Sequence, residues 1–130
     1  MSPITIKDIP LNEKILFIEK LEQVIRSGLF NTPNFHKIKF AITDKNIYTS
    51  STGFSIFSKT ERHRIDEIEY VKINNYFAWK EWRYFKITNS CNEFIELRLH
   101  LTNMENILNL LLSINPNIII QDESTISKNR

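Results

Sequence analysis

A chain of 130 residues is long enough to bury one substantial core and too short for two. Hydrophobic residues at 42% and charged residues at 25% exclude wholesale disorder. With 17 basic and 15 acidic side chains, the net charge of +2 also excludes a dedicated nucleic-acid binder, which carries a clearly basic face.

Residues 1–12, with Pro3 and Pro10, form a lead-in segment without the basic start and apolar block of a secretory signal. From Glu13 to Arg26 two readings compete. Leu11, Ile15, Ile18, Leu21 and Ile25 recur at helical spacing, whereas Ile15-Leu16-Phe17-Ile18 suits a buried strand. Ser27 to Asn34, holding Gly28 and Pro33, reads as a loop. Period-two patterning then begins, with Ile38, Phe40 and Ile42 on one face and Lys37 and Lys39 on the other. Asp44-Lys45-Asn46 supplies a turn, and Ile47-Tyr48-Thr49 returns as the second strand of a hairpin.

Ser50 to Ser58 reads as a small-residue loop. Arg62–Ile65 and Val71–Ile73 form one broken strand, and the close spacing of Ile65 and Ile68 implies a bulge within it. The next hairpin places Phe85 and Ile87 inward, opposite Ile95, Leu97, Leu99 and Leu101. Its other face presents Trp82, Tyr84 and Lys86 beside Phe94, Glu96, Arg98 and His100. A helix follows from Thr102 to Ile114, with Thr102 and Glu105 at capping-box spacing. Its apolar stripe, Met104, Ile107, Leu108, Leu111 and Leu112, is the plug of the core, and Pro116 stops it. Ile118-Ile119-Ile120 can add a last short strand, and the tail from 121 to 130 reads as disordered.

On these residues the chain resembles bacterial pleckstrin-homology-like (PH-like) and GRAM-like domains. Ala41-Ile42-Thr43-Asp44-Lys45-Asn46-Ile47-Tyr48 is similar to their Thr-Asp hairpin, and Arg64–Ile73 to a later strand of the family. The resemblance spans roughly Glu13 to Ile114 and implies that residues 13–26 are a strand. The implied fold is α+β and mainly β: a bent antiparallel β-barrel of about seven strands capped by one C-terminal α-helix. A single domain over 13–120 is expected. Lipid-binding members of the wider family carry basic residues around the first hairpin. Here Lys20, Arg26, Lys37 and Lys39 are interleaved with Glu19 and Glu22, with no compact basic cluster.

Two candidate sites stand out, each with a plainer alternative. Trp79, Trp82, Tyr84, Phe94 and Arg98, with Arg83 nearby, suit a partner-binding surface, where aromatic residues and arginine dominate the energetics. The same aromatics paired across a hairpin also simply stabilise a sheet. Lys59, Arg62, His63 and Arg64 suit an anionic lipid headgroup or acidic partner, or else are the solvated face of a strand partly neutralised by Glu61, Asp66 and Glu67.

Catalysis has little support. His36, His63 and His100 are scattered without metal-ligand spacing, and two glycines cannot build a phosphate-cradling loop. Cys91 lies in an Asn-rich turn as an incidental thiol with no evident activating base, and Asp66-Glu67-x-Glu69 reads as solvated carboxylates. No apolar run approaches the roughly 18 residues of a membrane span. The expectation is a cytoplasmic, non-enzymatic interaction module without cofactor or metal. Its partner is another protein, as in a neutralising immunity-type complex; the alternative is a peripheral binder of anionic membrane lipid.

Overall fold

Residues 15–27, where helical and strand spacings compete, form a strand. The computed structural model describes residues 6, 9–51, 60–76 and 79–124, with every side chain except that of Trp79. In chain order these form β1 (Ile15–Ser27), β2 (Thr32–Thr43), β3 (Asn46–Ser51), β4 (Thr60–Arg64), a single 3-10 turn (Ile65–Glu67), β5 (Ile68–Tyr76), β6 (Trp79–Asn89), β7 (Phe94–His100), α1 (Leu101–Ile114) and β8 (Ile119–Asp122).

The helix-like spacing in β1 has a physical cause: both of its faces meet apolar partners. Leu21 and Phe17 pack into the main core, while Ile18 packs on the opposite side against Ile6, Ala41 and Tyr48. A strand covered on both faces loses strict alternation and imitates a longer period. Pairing with β2 from Ile15↔Thr43 to Ser27↔Thr32 satisfies its backbone groups. The loop expected over 27–34 therefore shrinks to a four-residue tip, in which Gly28 takes φ 78° and Asn31 φ 55°. Pro33 is tolerated in β2 because β3 begins to pair only at Ile38, leaving that edge without a required donor.

The sheet order is β4-β3-β2-β1-β7-β6-β5-β8, with two differences from the expected barrel. Among the described residues it has eight strands rather than about seven, and it is open rather than a closed barrel, since β4 and β8 are its edges. The 3-10 turn accounts for the opening. Arg62–Ile65 and Val71–Ile73 are not one bulged strand: β4 pairs with β3, whereas β5 pairs with β6. The turn carries the chain from one part of the sheet to the other, and the Asn115 side chain fixes it by donating to the carbonyls of Ile65 (2.9 Å) and Ile68 (3.4 Å). The last strand, β8, adds in parallel to β5 through Tyr70↔Ile119.

Inward side chains of every described strand except β4 meet α1 in one core that includes Ile38, Phe40, Phe85, Leu97, Ile107 and Leu111, with Ile120 of β8 packed at its margin. Leu108 and Leu112, expected in the stripe, are only partly buried at its margin. Helix entry also differs from the expected capping box. The cap is His100, whose Nδ1 accepts from the Thr102 N–H at 3.2 Å, while its Nε2 lies 3.2 Å from Glu81. Thr102 is already inside the helix. Replacing His100 with Ala is expected to cost about 0.5–2 kcal/mol in chemical denaturation, with Asn restoring most of it and Thr102→Ala nearly silent.

The lead-in closes the other side of the sheet. Ile6 and Ile9 lie against Ala41 and Tyr48, and the Glu13 carboxylate accepts from the Thr43 hydroxyl (2.6 Å), the Asn46 amide (3.1 and 3.2 Å) and the Tyr48 hydroxyl (3.0 Å). Burial alone would raise the Glu13 pKa; the Thr43, Asn46 and Tyr48 hydrogen bonds outweigh it, and the net effect is a pKa below the ordinary 4.5. A carboxyl depressed in the folded state contributes stability above its unfolded pKa, and this is lost as pH falls through the folded value. Acid titration of stability should therefore be flatter below about pH 5 in Glu13→Gln than in the wild type.

Candidate functional site

The face of β1, β7, β6 and β5 that points away from the core is built by cross-strand register. Trp82 stands opposite His100, Tyr84 opposite Arg98, Lys86 opposite Glu96 and Thr88 opposite Phe94. On the far side of β7, Arg98 stands opposite Glu22. This brings the expected residues Trp82, Tyr84, Phe94 and Arg98 onto one surface. The backbone of Trp79 begins β6, and its side chain lies outside the described structure. Arg83, expected nearby, points the other way: it is 2% exposed, opposite Leu99, and its Nη1 donates to the carbonyls of Lys80 (2.8 Å) and Trp82 (2.7 Å). The strict alternation of β6 forces this, because Arg83 has the parity of Phe85.

Arg98 is the hub of the layer. Its guanidinium bonds the Glu22 carboxylate through Nε (2.8 Å) and Nη2, and donates to the Tyr76 hydroxyl at 2.8 Å. It also stacks 4.0 Å from the Phe35 ring centre and 5.0 Å from that of Tyr76. Burial works against the Arg98 charge, but the Glu22 and Tyr76 hydrogen bonds outweigh it and raise its pKa. A second fork lies alongside: Arg26 donates to both Glu96 oxygens (3.0 and 2.8 Å) and sits 5.0 Å over the Tyr84 ring. Edge-to-face contacts join Tyr76 to Tyr84 at 5.2 Å and to Phe35 at 5.9 Å. Much of the aromatic layer is therefore internally satisfied.

The two ends of this face differ. Around Trp82, Arg98 and His100 there is a cleft of only about 100 Å³. At the other end an open groove of about 520 Å³ runs between the β1–β2 arm and the sheet, lined by Ile25, Arg26, Asn31, Lys72, Lys86 and Phe94 among others. Phe94 is 54% exposed there, with the Lys86 ammonium 4.2 Å over its ring. The tip of the arm carries Leu29 and Phe30, exposed at 95% and 88%.

Geometry of this kind belongs to a fold, and the fold has known counterparts. The chain is similar to the hSac2 domain. That domain, from human phosphoinositide phosphatase Sac2, superposes with a TM-score of 0.68 at 13% identity, over 88% of this chain and 80% of the other. A chain of the Spt16D–Pob3N heterodimer matches with a TM-score of 0.57 at 11% identity, over 85% of this chain and 56% of its own length. The C-terminal domain of a Leishmania infantum protein of unknown function matches at 0.55 and 16%, over 78% and 84%. No protein-family model and no curated protein matches the sequence. The likeness is one of fold.

The expected anionic site is divided by the structure. Lys59 lies outside the described residues. His63 faces Ile47 across the ladder and is half-buried, while Arg62 and Arg64 project to the opposite, exposed side of edge strand β4. Arg64 is held by Asp66 at 3.1 and 2.7 Å and lies 3.7 Å from Glu67; the Asp66 hydrogen bond raises its pKa. The groove beside these residues sets Lys45, Arg62 and Arg64 against Glu13, Asp44 and Asp66, an even balance of charge. Among the described residues, no group of His, Cys, Asp or Glu is placed to hold a metal ion, and no helix is long and apolar enough to cross a membrane.

Sequence reading missed Phe35, Tyr76 and Arg26 as members of the face. Phe35 was legible, since it shares the outward parity of Lys37 and Lys39. The Arg26–Glu96 pair, 70 positions apart, carries no local signal.

Proposed function

We propose that this protein is a non-catalytic PH-like interaction module of the GRAM-like kind, working in the cytoplasm. It binds a protein partner through the outer face of β5, β6 and β7 and the β1–β2 arm, and a neutralising, immunity-type complex is one form of that role. The observation that carries this reading is exposed Phe94 on a groove whose wall is braced by the Arg26–Glu96 fork, on a face that the Arg98–Glu22 fork ties together at its other end. A prelocked apolar and aromatic surface loses little conformational entropy on association. The non-catalytic reading is supported by the same forks, which occupy the acids and arginines of the face with one another.

Affinity capture from the source cell, with vesicle sedimentation alongside, tests this. A partner held by the wild type and by Arg64→Ala but lost with Phe94→Asp is the expected result, because a charge placed on a central apolar contact commonly removes about 2 kcal/mol or more. Sedimentation with phosphatidylserine vesicles at low salt, fading as salt rises, would instead establish the membrane reading.

A further inference from the structure

We infer that the 520 Å³ groove beside Phe94 is the seat for an acidic segment of the partner protein that carries a large apolar side chain. This rests on the interaction-module reading above and assigns the chemistry of what it binds.

Charge complementarity points to the occupant. The groove is lined by three cations, Arg26, Lys72 and Lys86, against one carboxylate, Glu96. Arg26 is consumed by Glu96 in a two-bond fork. Lys86 is held over the Phe94 ring, and Lys72 lies 3.6 Å from Glu123 in a pair exposed on both sides. Exposed pairs of this kind exchange readily with an incoming carboxylate. Two lysines on adjacent strands, in register at Lys72↔Lys86, therefore face a segment laid across the sheet. The groove beside Arg62 and Arg64, with its charges balanced, offers no such excess.

The apolar half of the requirement comes from Phe94 and Ile25, exposed at 54% and 45%, which flank the lysines. Leu29 and Phe30 extend that surface beyond Asn31 at the arm's tip. A membrane is the poorer fit. Between Arg26 and Lys37 the tip has no lysine or arginine, so its apolar residues would enter a bilayer without the adjoining cations that anionic headgroups require. The lysines lie instead on the sheet, where a protein segment reaches them.

The test is a titration of the isotope-labelled full chain, followed by amide resonances, with a short synthetic peptide alternating glutamate with leucine and phenylalanine. Shifts centred on Ile25, Lys72, Lys86 and Phe94 are expected, weakening as salt rises. Lys72→Glu/Lys86→Glu should weaken the peptide about tenfold or more, whereas Arg62→Glu/Arg64→Glu, an equal change of charge elsewhere, should leave it within about twofold. The same peptide with lysine for glutamate should not bind. Absence of shifts, shifts centred elsewhere, or equal losses in the two charge-reversed variants overturn the assignment. So do the same resonances moving with phosphatidylserine vesicles instead, or self-association displacing the peptide. Should the peptide fail while partner capture still depends on Phe94, the module reading stands and only the acidic-segment assignment falls.

Discussion

Leu111→Ala is expected to lower the unfolding free energy by about 2–5 kcal/mol, read as a fall in the denaturant midpoint with little change in slope. Leu111 is fully buried, and its neighbours on α1, Ile107 and Met104, fill the same concave side of the sheet. Truncation removes transfer free energy and leaves a cavity, because β6 and β7 behind it are held by a continuous ladder from Trp82↔His100 to Thr88↔Phe94 and cannot collapse inward. The exposed control Asn109→Ala, two residues away on the opposite side of the same helix, should change stability by no more than about 0.5 kcal/mol. An effect at Leu111 as small as that control would mean that α1 is not the element closing the core.

That plug was legible from the sequence, and the reason is instructive. Met104, Ile107 and Leu111 repeat with the helical period, and the period survives because only one side of α1 meets apolar partners. The hairpin of β6 and β7 was legible for the equivalent reason: Phe85, Ile87, Ile95 and Leu97 alternate cleanly because one face is core and the other is not. Where that condition fails, so does the reading. β1 looked helical because Leu21, buried on one side, and Ile18, partly buried on the other, both meet apolar partners. β4 and β5 looked like one strand because Ile65, which is fully buried, belongs to the turn between them and not to either ladder.

The candidate face divides along the same line. Its membership followed from parity alone, so Trp82, Tyr84, Phe94 and Arg98 were found, and the inward Arg83 was misplaced only by proximity in sequence. Which of these residues are available to a partner is a tertiary fact. Trp82 and Arg98 are tied to His100, Phe35, Tyr76 and Glu22, whereas Phe94 opens on the groove. The ion pairs that decide this join residues more than 60 positions apart, and sequence spacing does not encode them. On β4 likewise, Arg64 is held by Asp66 two residues away, whereas Arg62 and His63 lie on opposite faces of the strand.

Arg98→Ala is expected to cost about 2–3 kcal/mol, because it takes the guanidinium donors away from the part-buried Glu22 carboxylate and the Tyr76 hydroxyl and removes the cation from the Phe35 ring. Arg98 is only 21% exposed and Glu22 27%, so water restores part of the loss but not all. Lysine at this position keeps the charge and loses the fork, and should recover less than half of the effect. A double-mutant cycle with Glu22→Gln isolates the pair and should return a coupling of about 1 kcal/mol or more. A coupling near zero would mean that the fork is a surface ion pair of no consequence and that the aromatic contacts alone hold the layer. The expected outcome also bears on function. A variant that loses Arg98 weakens the packing of Phe35, Tyr76 and Trp82 together, so binding lost in it reports a loosened face, whereas binding lost in Phe94→Asp reports a lost contact on a face that is still intact.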